Sequence, residues 1–161
     1  MKKNKVLIIR FSSFGDIIQC STVVEYLYQL DNRVEIDWLT RSDFSEIVAL
    51  NKNINNVISF DRKIGLYGLL KLAFQLKENK YDLVYDAHNN IRSNIVYLIF
   101  KLSFTSTKWI TRSKDRFKRI LLFKFRINTF PKPFKGIDSF IRPLEQFYKK
   151  KKKNIKLVNY H

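Results

Sequence analysis

Apolar and polar positions alternate along the first two thirds of the chain in a way that predicts strands and helices in turn. Residues 6–9 form a short apolar run rich in β-branched side chains, as expected for a strand buried on both faces. The next apolar residues recur at three- and four-residue spacing and predict a helix: Ile17, Cys20, Val24 and Leu27. The same patterns predict further strands at residues 34–39, 57–60, 81–87 and 108–111, and helices at 44–51, 66–79 and 93–103.

This alternation, with connections of a few residues, predicts an α/β fold. We expect a Rossmann-like doubly wound parallel sheet with right-handed crossovers. Functional groups on such a sheet collect at the carboxyl ends of the strands. Five polar clusters follow predicted strands and should therefore share one edge: residues 12–16, 40–43, 61–63, 86–92 and Arg112.

The corner Ser12-Ser13-Phe14-Gly15-Asp16 lies between the first strand and the first helix. Asp16 has two interpretations from its position: a general base at the mouth of a crevice, or a carboxylate that stabilises the positive helix end by about 0.3–1 kcal/mol. Spacing alone favours the second. Gly15 suits a close backbone approach or a left-handed turn. The glycine-rich phosphate-loop and dinucleotide-binding patterns are absent from the sequence.

A second polar cluster follows the fourth predicted strand: Asp86, His88, Asn89, Asn90 and Arg92. The amides could bind substrate hydroxyls and Arg92 an anionic group, or the cluster could be a turn followed by a helix cap. Two histidines and one cysteine are too few for a Cys/His metal site, and no Ser-His-Asp order is evident.

Charge is distributed unevenly over the 161 residues. The net charge is +17, of which residues 101–161 contribute +15 through 18 Lys and Arg against three Asp and Glu. Such a segment faces solvent or an anionic partner: nucleic acid, acidic lipid or a phosphorylated or carboxylated substrate. We expect one Rossmann-like domain over residues 1–130, followed at 131–161 by a basic helix near residues 137–148 and a linker or tail. The lysine run, residues 149–153, is expected to be a solvated tail, and residues 116–126 form a basic amphipathic segment.

The sequence shows neither a signal peptide nor an apolar stretch long enough to span a membrane, so we expect a cytoplasmic protein. The single cysteine, Cys20, lies on the apolar face of the first helix. It is interpreted as a core residue, and its isolation fits a reducing compartment.

Several segments together resemble one enzyme family. They are residues 8–18, 36–40, 53–58 and 81–92, and the Ser-Ser-x-Gly-Asp corner and the Asp-x-His-Asn-Asn-x-Arg stretch are the specific motifs among them. They are similar to the amino-terminal half of the ADP-heptose:lipopolysaccharide heptosyltransferases, glycosyltransferase family 9. The second motif, with residues 117–128, resembles the form seen in Bacteroidota-type bacteria.

The resemblance implies the amino-terminal domain of a GT-B glycosyltransferase, which inverts the sugar without a metal or cofactor. In that family the carboxylate of the corner is the proposed base, which implies that Asp16 deprotonates an acceptor hydroxyl while ADP leaves. A lipopolysaccharide inner-core acceptor would contact the remaining predicted site residues: Ser12, Ser13, Gly15, Arg62, Lys63, Asp86, His88, Asn89, Asn90, Arg92 and Arg112.

Family members continue for about as many residues again, so the resemblance implies that the domain binding ADP-heptose is absent here. We expect the chain to be inactive alone, because a positioned base without its donor loses the advantage of proximity. A second chain could supply that half, and the basic last third could contact the acceptor's phosphates or the anionic inner membrane. The alternative is a non-catalytic remnant or a basic module that binds nucleic acid or other anions, of which nucleic acid is the less favoured.

Overall fold

The computed structural model describes residues 3–103, 105–112, 124, 126 and 136–158, with side chains as far as residue 150. The strands are β1 (Lys5–Ile9), β2 (Glu35–Arg41), β3 (Asn56–Phe60), β4 (Leu83–Asp86) and β5 (Lys108–Thr111). The helices are α1 (Phe14–Leu30), α2 (Ser45–Ala49), α3 (Gly65–Glu78), α4 (Ile91–Leu102) and α5 (Asp138–Val158), with 3-10 turns at Ser42–Phe44 and Arg62–Ile64. Every strand and helix predicted over residues 1–111 is present, with bounds that differ by a few residues.

The five strands form one parallel sheet in the order β3-β2-β1-β4-β5. β1 is central, and its last residue, Ile9, lies opposite Leu39 of β2 and Asp86 of β4. The chain first builds outward through β2 and β3 and then crosses to β4 on the other side of β1. The order of the strands therefore reverses between β1 and β4, and the crevice at their carboxyl ends is where ligands bind in open α/β sheets.

Helices cover both faces of the sheet, so the fold is doubly wound as predicted. On one face α1, α2 and α5 bury a cluster that includes Cys20, Trp38 and Phe140. On the other face α3 and α4 bury a second cluster that includes Leu76 and Phe100. The central strand β1 and its neighbour β4 are buried along almost their whole length because both of their faces are covered.

α5 is longer than predicted. Its predicted end at residue 148 is wrong, because the helix continues through the lysine run to Val158. Phe140 and Leu144 are fully buried on the α1 side of the sheet. The first half of α5 is therefore part of the core, whereas the domain boundary at residue 130 stays a prediction.

The axis of α5 is antiparallel to the strands. Near its start, Ser139 accepts a hydrogen bond from Arg112, which directly follows β5. Near its middle, Tyr148 lies beside Asn4 and Asp82, which precede β1 and β4. The ten helical residues beyond Tyr148 add about 15 Å, so the lysine run begins at the amino edge of the sheet and does not face the carboxyl edge.

The basic amphipathic segment 116–126 falls almost entirely outside the described residues, as does most of the resemblance at 117–128. Within the part of the chain that the structure describes, no helix is long and apolar enough to cross a membrane.

Candidate active site

Three residues continue the hydrogen-bond ladder one step beyond the ends of β1, β4 and β5. Backbone N–H groups of Arg10, Ala87 and Arg112 donate to the carbonyls of Leu39, Ile9 and Asp86 at 3.0, 3.1 and 2.9 Å. The ends of β1, β4 and β5 are thus held in line at the carboxyl edge. Two of the three residues at this edge carry a guanidinium group.

Asp16 lies in the first turn of α1 and projects toward these arginines. Its carboxylate forms an ion pair with Nη2 of Arg10, accepts a hydrogen bond from Ser13 Oγ at 3.1 Å, and lies 4.0 Å from Nη1 of Arg112. The Asp16 side chain is 37% exposed, against 6% for Arg10 and 8% for Arg112. The carboxylate is therefore the member of this trio that a ligand in the crevice can reach.

The two guanidinium groups are held in place by contacts on the interior side of the crevice. Arg10 donates from Nη1 to the carbonyl of Ala87 at 2.7 Å, and Arg112 donates from Nη2 to Ser139 Oγ at 2.8 Å. The Phe140 ring packs against both, with its centroid 3.5 Å from the guanidinium carbon of Arg112 and 5.7 Å from that of Arg10. These contacts fix both cations in the interior beside the crevice.

The trio carries an excess of positive charge. Burial lowers the pKa of both Arg10 and Arg112, and the proximity of Arg10 lowers the pKa of Arg112 further, while Asp16 acts in the opposite direction on both. The Nε atoms of the two arginines have no hydrogen-bond partner among the described residues. Two buried cations thus share the partly exposed carboxylate of Asp16, and the charge of the buried Asp86 also acts on Arg10.

Sequence reasoning missed Arg10, Ser139 and Phe140. A charged residue directly after the buried run of β1 was a usable signal for Arg10, because polar residues at that place in a parallel sheet face the crevice. No local pattern links Ser139 and Phe140 to a site more than 100 residues earlier in the chain.

Gly15 is part of helix α1, so of its two predicted roles the left-handed turn is wrong. A Cβ atom at Gly15 would meet no other atom within 4 Å. The fold itself therefore does not require glycine here, and a close approach by a ligand remains the prediction. Ser12 is half-buried just before α1, and Ser13 is its N-cap residue.

The loop after β4 is built largely from hydrogen bonds within the protein. Asp86 Oδ1 accepts from the backbone N–H groups of His88 and Asn89 at 2.9 and 2.7 Å. Asn89, with φ of +50°, donates from Nδ2 to the Arg112 carbonyl at 2.9 Å, and Asn90 caps α4 in a reciprocal capping box with Ser93. The turn-and-cap alternative therefore accounts for Asp86, Asn89 and Asn90, and their contact with an acceptor stays a prediction.

A second group of predicted residues meets apart from this trio. Arg62, Lys63 and Arg92 line a shallow cleft of about 460 Å³ together with Asp43 and Asp61. Asp61 caps the 3-10 turn by accepting from the Lys63 N–H at 2.8 Å. Arg112, in contrast, lies with Asp16, so the predicted acceptor-binding cations fall into two places.

Among the described residues, no group of three or more His, Cys, Asp or Glu side chains is arranged to hold a metal ion. Independence from a metal stays a prediction.

Comparison with known proteins extends this picture. No family model matches the chain. Over 95 residues, 57% of the chain, the sequence is 30% identical to lipopolysaccharide heptosyltransferase 1 of Campylobacter coli, and the match covers 27% of that protein. The chain thus spans well under two thirds of this curated relative.

Two solved structures share the fold. One is a glycosyl transferase family 9 protein from Veillonella parvula, with a TM-score of 0.65 and 22% identity over 91% of this chain and 42% of that one. The other is E. coli heptosyltransferase WaaC with ADP-2-deoxy-2-fluoro heptose, with a TM-score of 0.61 and 19% identity over 88% of this chain and 48% of that one. The predicted Rossmann-like doubly wound parallel sheet is confirmed, and these glycosyltransferase structures share its fold. In sequence and in fold, the chain resembles the heptosyltransferases of glycosyltransferase family 9 over less than half of their length.

Proposed function

We propose that this chain is the acceptor-binding part of a glycosyltransferase that transfers heptose from ADP-heptose to an inner-core lipopolysaccharide acceptor at the cytoplasmic face of the inner membrane. The resemblance to heptosyltransferases supports the reaction class. The observation that carries the proposal is the position of Asp16, a partly exposed carboxylate fixed by Arg10 at the crevice of the sheet.

In the proposed reaction Asp16 is the general base. It takes the proton of an acceptor hydroxyl as that oxygen bonds to the anomeric carbon of the heptose. The bond from that carbon to the ADP oxygen breaks on the opposite face, ADP keeps the electron pair, and the configuration inverts. Ion pairing with Arg10 and the hydrogen bond from Ser13 orient the carboxylate, and orientation is a large part of what such a site contributes.

Cations at the same edge of the sheet would hold the acceptor's carboxylates or phosphates. Arg112 lies beside Asp16, and the cleft of Arg62, Lys63 and Arg92 presents a second, more exposed positive surface. Charge-assisted hydrogen bonds from arginine suit both kinds of anion. Ser12, Ser13 and Gly15, with the loop from Asp86 to Asn90, would contact acceptor hydroxyls, and no metal or cofactor takes part.

Binding of ADP-heptose is assigned to sequence beyond these residues or to a second chain. The limited coverage supports this assignment, since the chain spans 42% and 48% of the two solved structures. We therefore propose that the 161 residues alone bind acceptor without transferring heptose. Turnover of ADP-heptose by the purified chain would contradict this part of the proposal.

Acceptor binding can be measured by calorimetry with de-acylated inner-core oligosaccharide. The double variant Arg62→Ala/Lys63→Ala is expected to bind at least about tenfold more weakly, since each lost charge-assisted hydrogen bond is worth about 1.5–3 kcal/mol. Lys52→Ala removes an exposed charge outside the site and is the matched control. Equal affinity of all three proteins would contradict the assignment of the cleft.

The role of Asp16 is tested in a transfer assay in which the chain is supplemented with the donor-binding half. Asp16→Asn is expected to lower kcat by about 10²–10⁴-fold, as for loss of a general base, while oligosaccharide binding persists. Normal kcat in this variant would exclude Asp16 as the base.

A further inference from the structure

The amino-terminal ends of α3 and α4 carry exposed apolar side chains beside exposed cations. Ile64 is 54%, Leu66 58%, Tyr67 79% and Ile91 80% exposed. We call this surface the tip, and it comprises these four residues with Arg62, Lys63 and Arg92. Both helices leave the carboxyl edge on the same face of the sheet and pack against each other, which brings their starts together.

The backbone of the tip is shaped by glycine. Gly65 has φ of +61°, which lets the chain pass from the 3-10 turn directly into α3. A Cβ atom at Gly68 would lie 2.4 Å from Ile64 Cδ1, so the absence of a side chain makes room for Ile64. Two of the chain's four glycines thus serve to present this apolar turn.

The charge beside the apolar side chains is positive. Arg62, Lys63 and Arg92 line the same cleft as Asp43 and Asp61. Asp43 is paired with Arg41, and Asp61 accepts a hydrogen bond from the Lys63 N–H. Counting Arg41, these side chains sum to +2. Apolar side chains that project beside a cationic rim are complementary to a bilayer with anionic headgroups, and tyrosine favours the boundary between lipid and water.

The lysine run does not belong to this surface. It extends from the amino edge of the sheet, where Tyr148 lies beside Asn4 and Asp82, whereas the tip lies at the carboxyl edge. A flat membrane touching one edge would leave the other in water. Charge alone cannot choose between the two, but the exposed Leu66 and Tyr67 favour the tip.

We propose that the tip docks on an anionic lipid bilayer, with Leu66 and Tyr67 entering the interface and the nearby cations contacting lipid phosphates. Docking at this edge would turn the crevice of Asp16 toward the membrane. The benefit of that orientation, access to a lipid-linked acceptor, rests on the proposed function, but the docking itself does not.

Vesicle flotation of the purified chain tests the proposal with phosphatidylcholine containing phosphatidylglycerol, against phosphatidylcholine alone. The chain is expected to float with the anionic vesicles, and Leu66→Ser/Tyr67→Ser to reduce the partition coefficient about tenfold or more. Leu50→Ser is the matched control, since Leu50 is 80% exposed at the end of α2, toward the amino edge. Equal loss in both, or no loss in the tip variant, would overturn the proposal.

The depth to which a side chain enters the bilayer shows whether the membrane contacts the tip or the amino edge, from which the lysine run extends. Tyr67→Trp is expected to show a blue-shifted emission that brominated acyl chains quench, measured against wild-type fluorescence because Trp38 and Trp109 are present in every variant. Leu50→Trp is expected to show neither effect. Quenching of Leu50→Trp without quenching of Tyr67→Trp would place the membrane at the amino edge and overturn the proposal.

The vesicles contain no lipopolysaccharide, so these experiments do not depend on the acceptor. Oligosaccharide binding by Leu66→Ser/Tyr67→Ser reports separately on the proposed function, and it is expected to match that of the wild-type chain.

Discussion

Two charged clusters lie at opposite edges of the same sheet and are built in opposite ways. At the amino edge, Asp37 is 2% exposed and accepts from Tyr81 Oη at 2.7 Å and Asn56 Nδ2 at 2.8 Å, with Lys5 Nζ at 3.7 Å. At the carboxyl edge, one partly exposed carboxylate, Asp16, faces two buried guanidinium groups. The first cluster is closed, whereas the second is open to the crevice and leaves the Nε atoms of Arg10 and Arg112 without hydrogen-bond partners among the described residues.

The two clusters also act differently on their neighbours. Burial and then Asp37 raise the pKa of the Tyr81 hydroxyl. Burial raises the pKa of the Cys20 thiol to about 12, while Arg10 and Arg112 act in the opposite direction. A polar cluster whose groups have hydrogen-bond partners within the protein stabilises the fold. A cluster with unpaired polar groups beside a crevice is able to bind a ligand.

The largest expected effect concerns the aromatic ring that braces the carboxyl-edge cluster. Phe140→Ala removes a fully buried ring that packs against both guanidinium groups, and we expect it to lower the free energy of unfolding by about 3–5 kcal/mol in urea titrations. Phe147→Ala, farther along α5 and only half-buried, should cost clearly less. Similar losses for the two variants would show that α5 does not support this cluster specifically.

Removal of the amino-edge carboxylate should have the next largest effect. Asp37→Ala leaves the Tyr81 hydroxyl and Lys5 without their acceptor, and we expect the free energy of unfolding to fall by about 3 kcal/mol. Glu35 lies on the same strand as Asp37 and forms an exposed ion pair with Lys3. Glu35→Ala should therefore lower the free energy of unfolding by less than about 1 kcal/mol. A small effect of Asp37→Ala would mean that this cluster is not structural.

Alkaline pH should weaken the fold through Cys20. Its folded pKa, about 12, lies above an ordinary value near 9, so the folded state keeps a proton that the unfolded state releases. The contribution of Cys20 to stability is therefore fully present below about pH 9 and is lost as pH rises toward 12, by about 1 kcal/mol at pH 10. Cys20→Ala should lack this part of the decline in urea titrations between about pH 8 and 10, and an identical decline in both proteins would contradict the assignment.

The smallest effect on stability is expected for Asp16→Asn, under about 1 kcal/mol. Its side chain is partly exposed, so water screens the charge that is lost. The amide oxygen still accepts from Arg10 and Ser13, and the charge of Asp86 continues to act on Arg10. The contrast with Asp37→Ala can be measured in the same urea titrations. If Asp16→Asn is as costly as Asp37→Ala, the two clusters do not divide into a structural and a functional one.

Local patterns in the sequence were sufficient to predict the strands, the helices and the parallel sheet. Periods of two and 3.6 residues report how neighbouring side chains share a face, and that information is contained in each short segment. The position of Asp16 at the start of α1, and of Arg112 at the end of β5, followed from the same reasoning.

Only the tertiary structure decided which of these residues meet. Arg10 and Phe140 are 130 positions apart in the chain, yet both contribute to the surroundings of Asp16 because β1 is central and α5 returns along the sheet. The same return carries the lysine run to the opposite edge, a location that its predicted character as a solvated tail did not specify. Periodicity reports which face a residue occupies, but strand order and the direction of α5 determine which charges come within reach of one another.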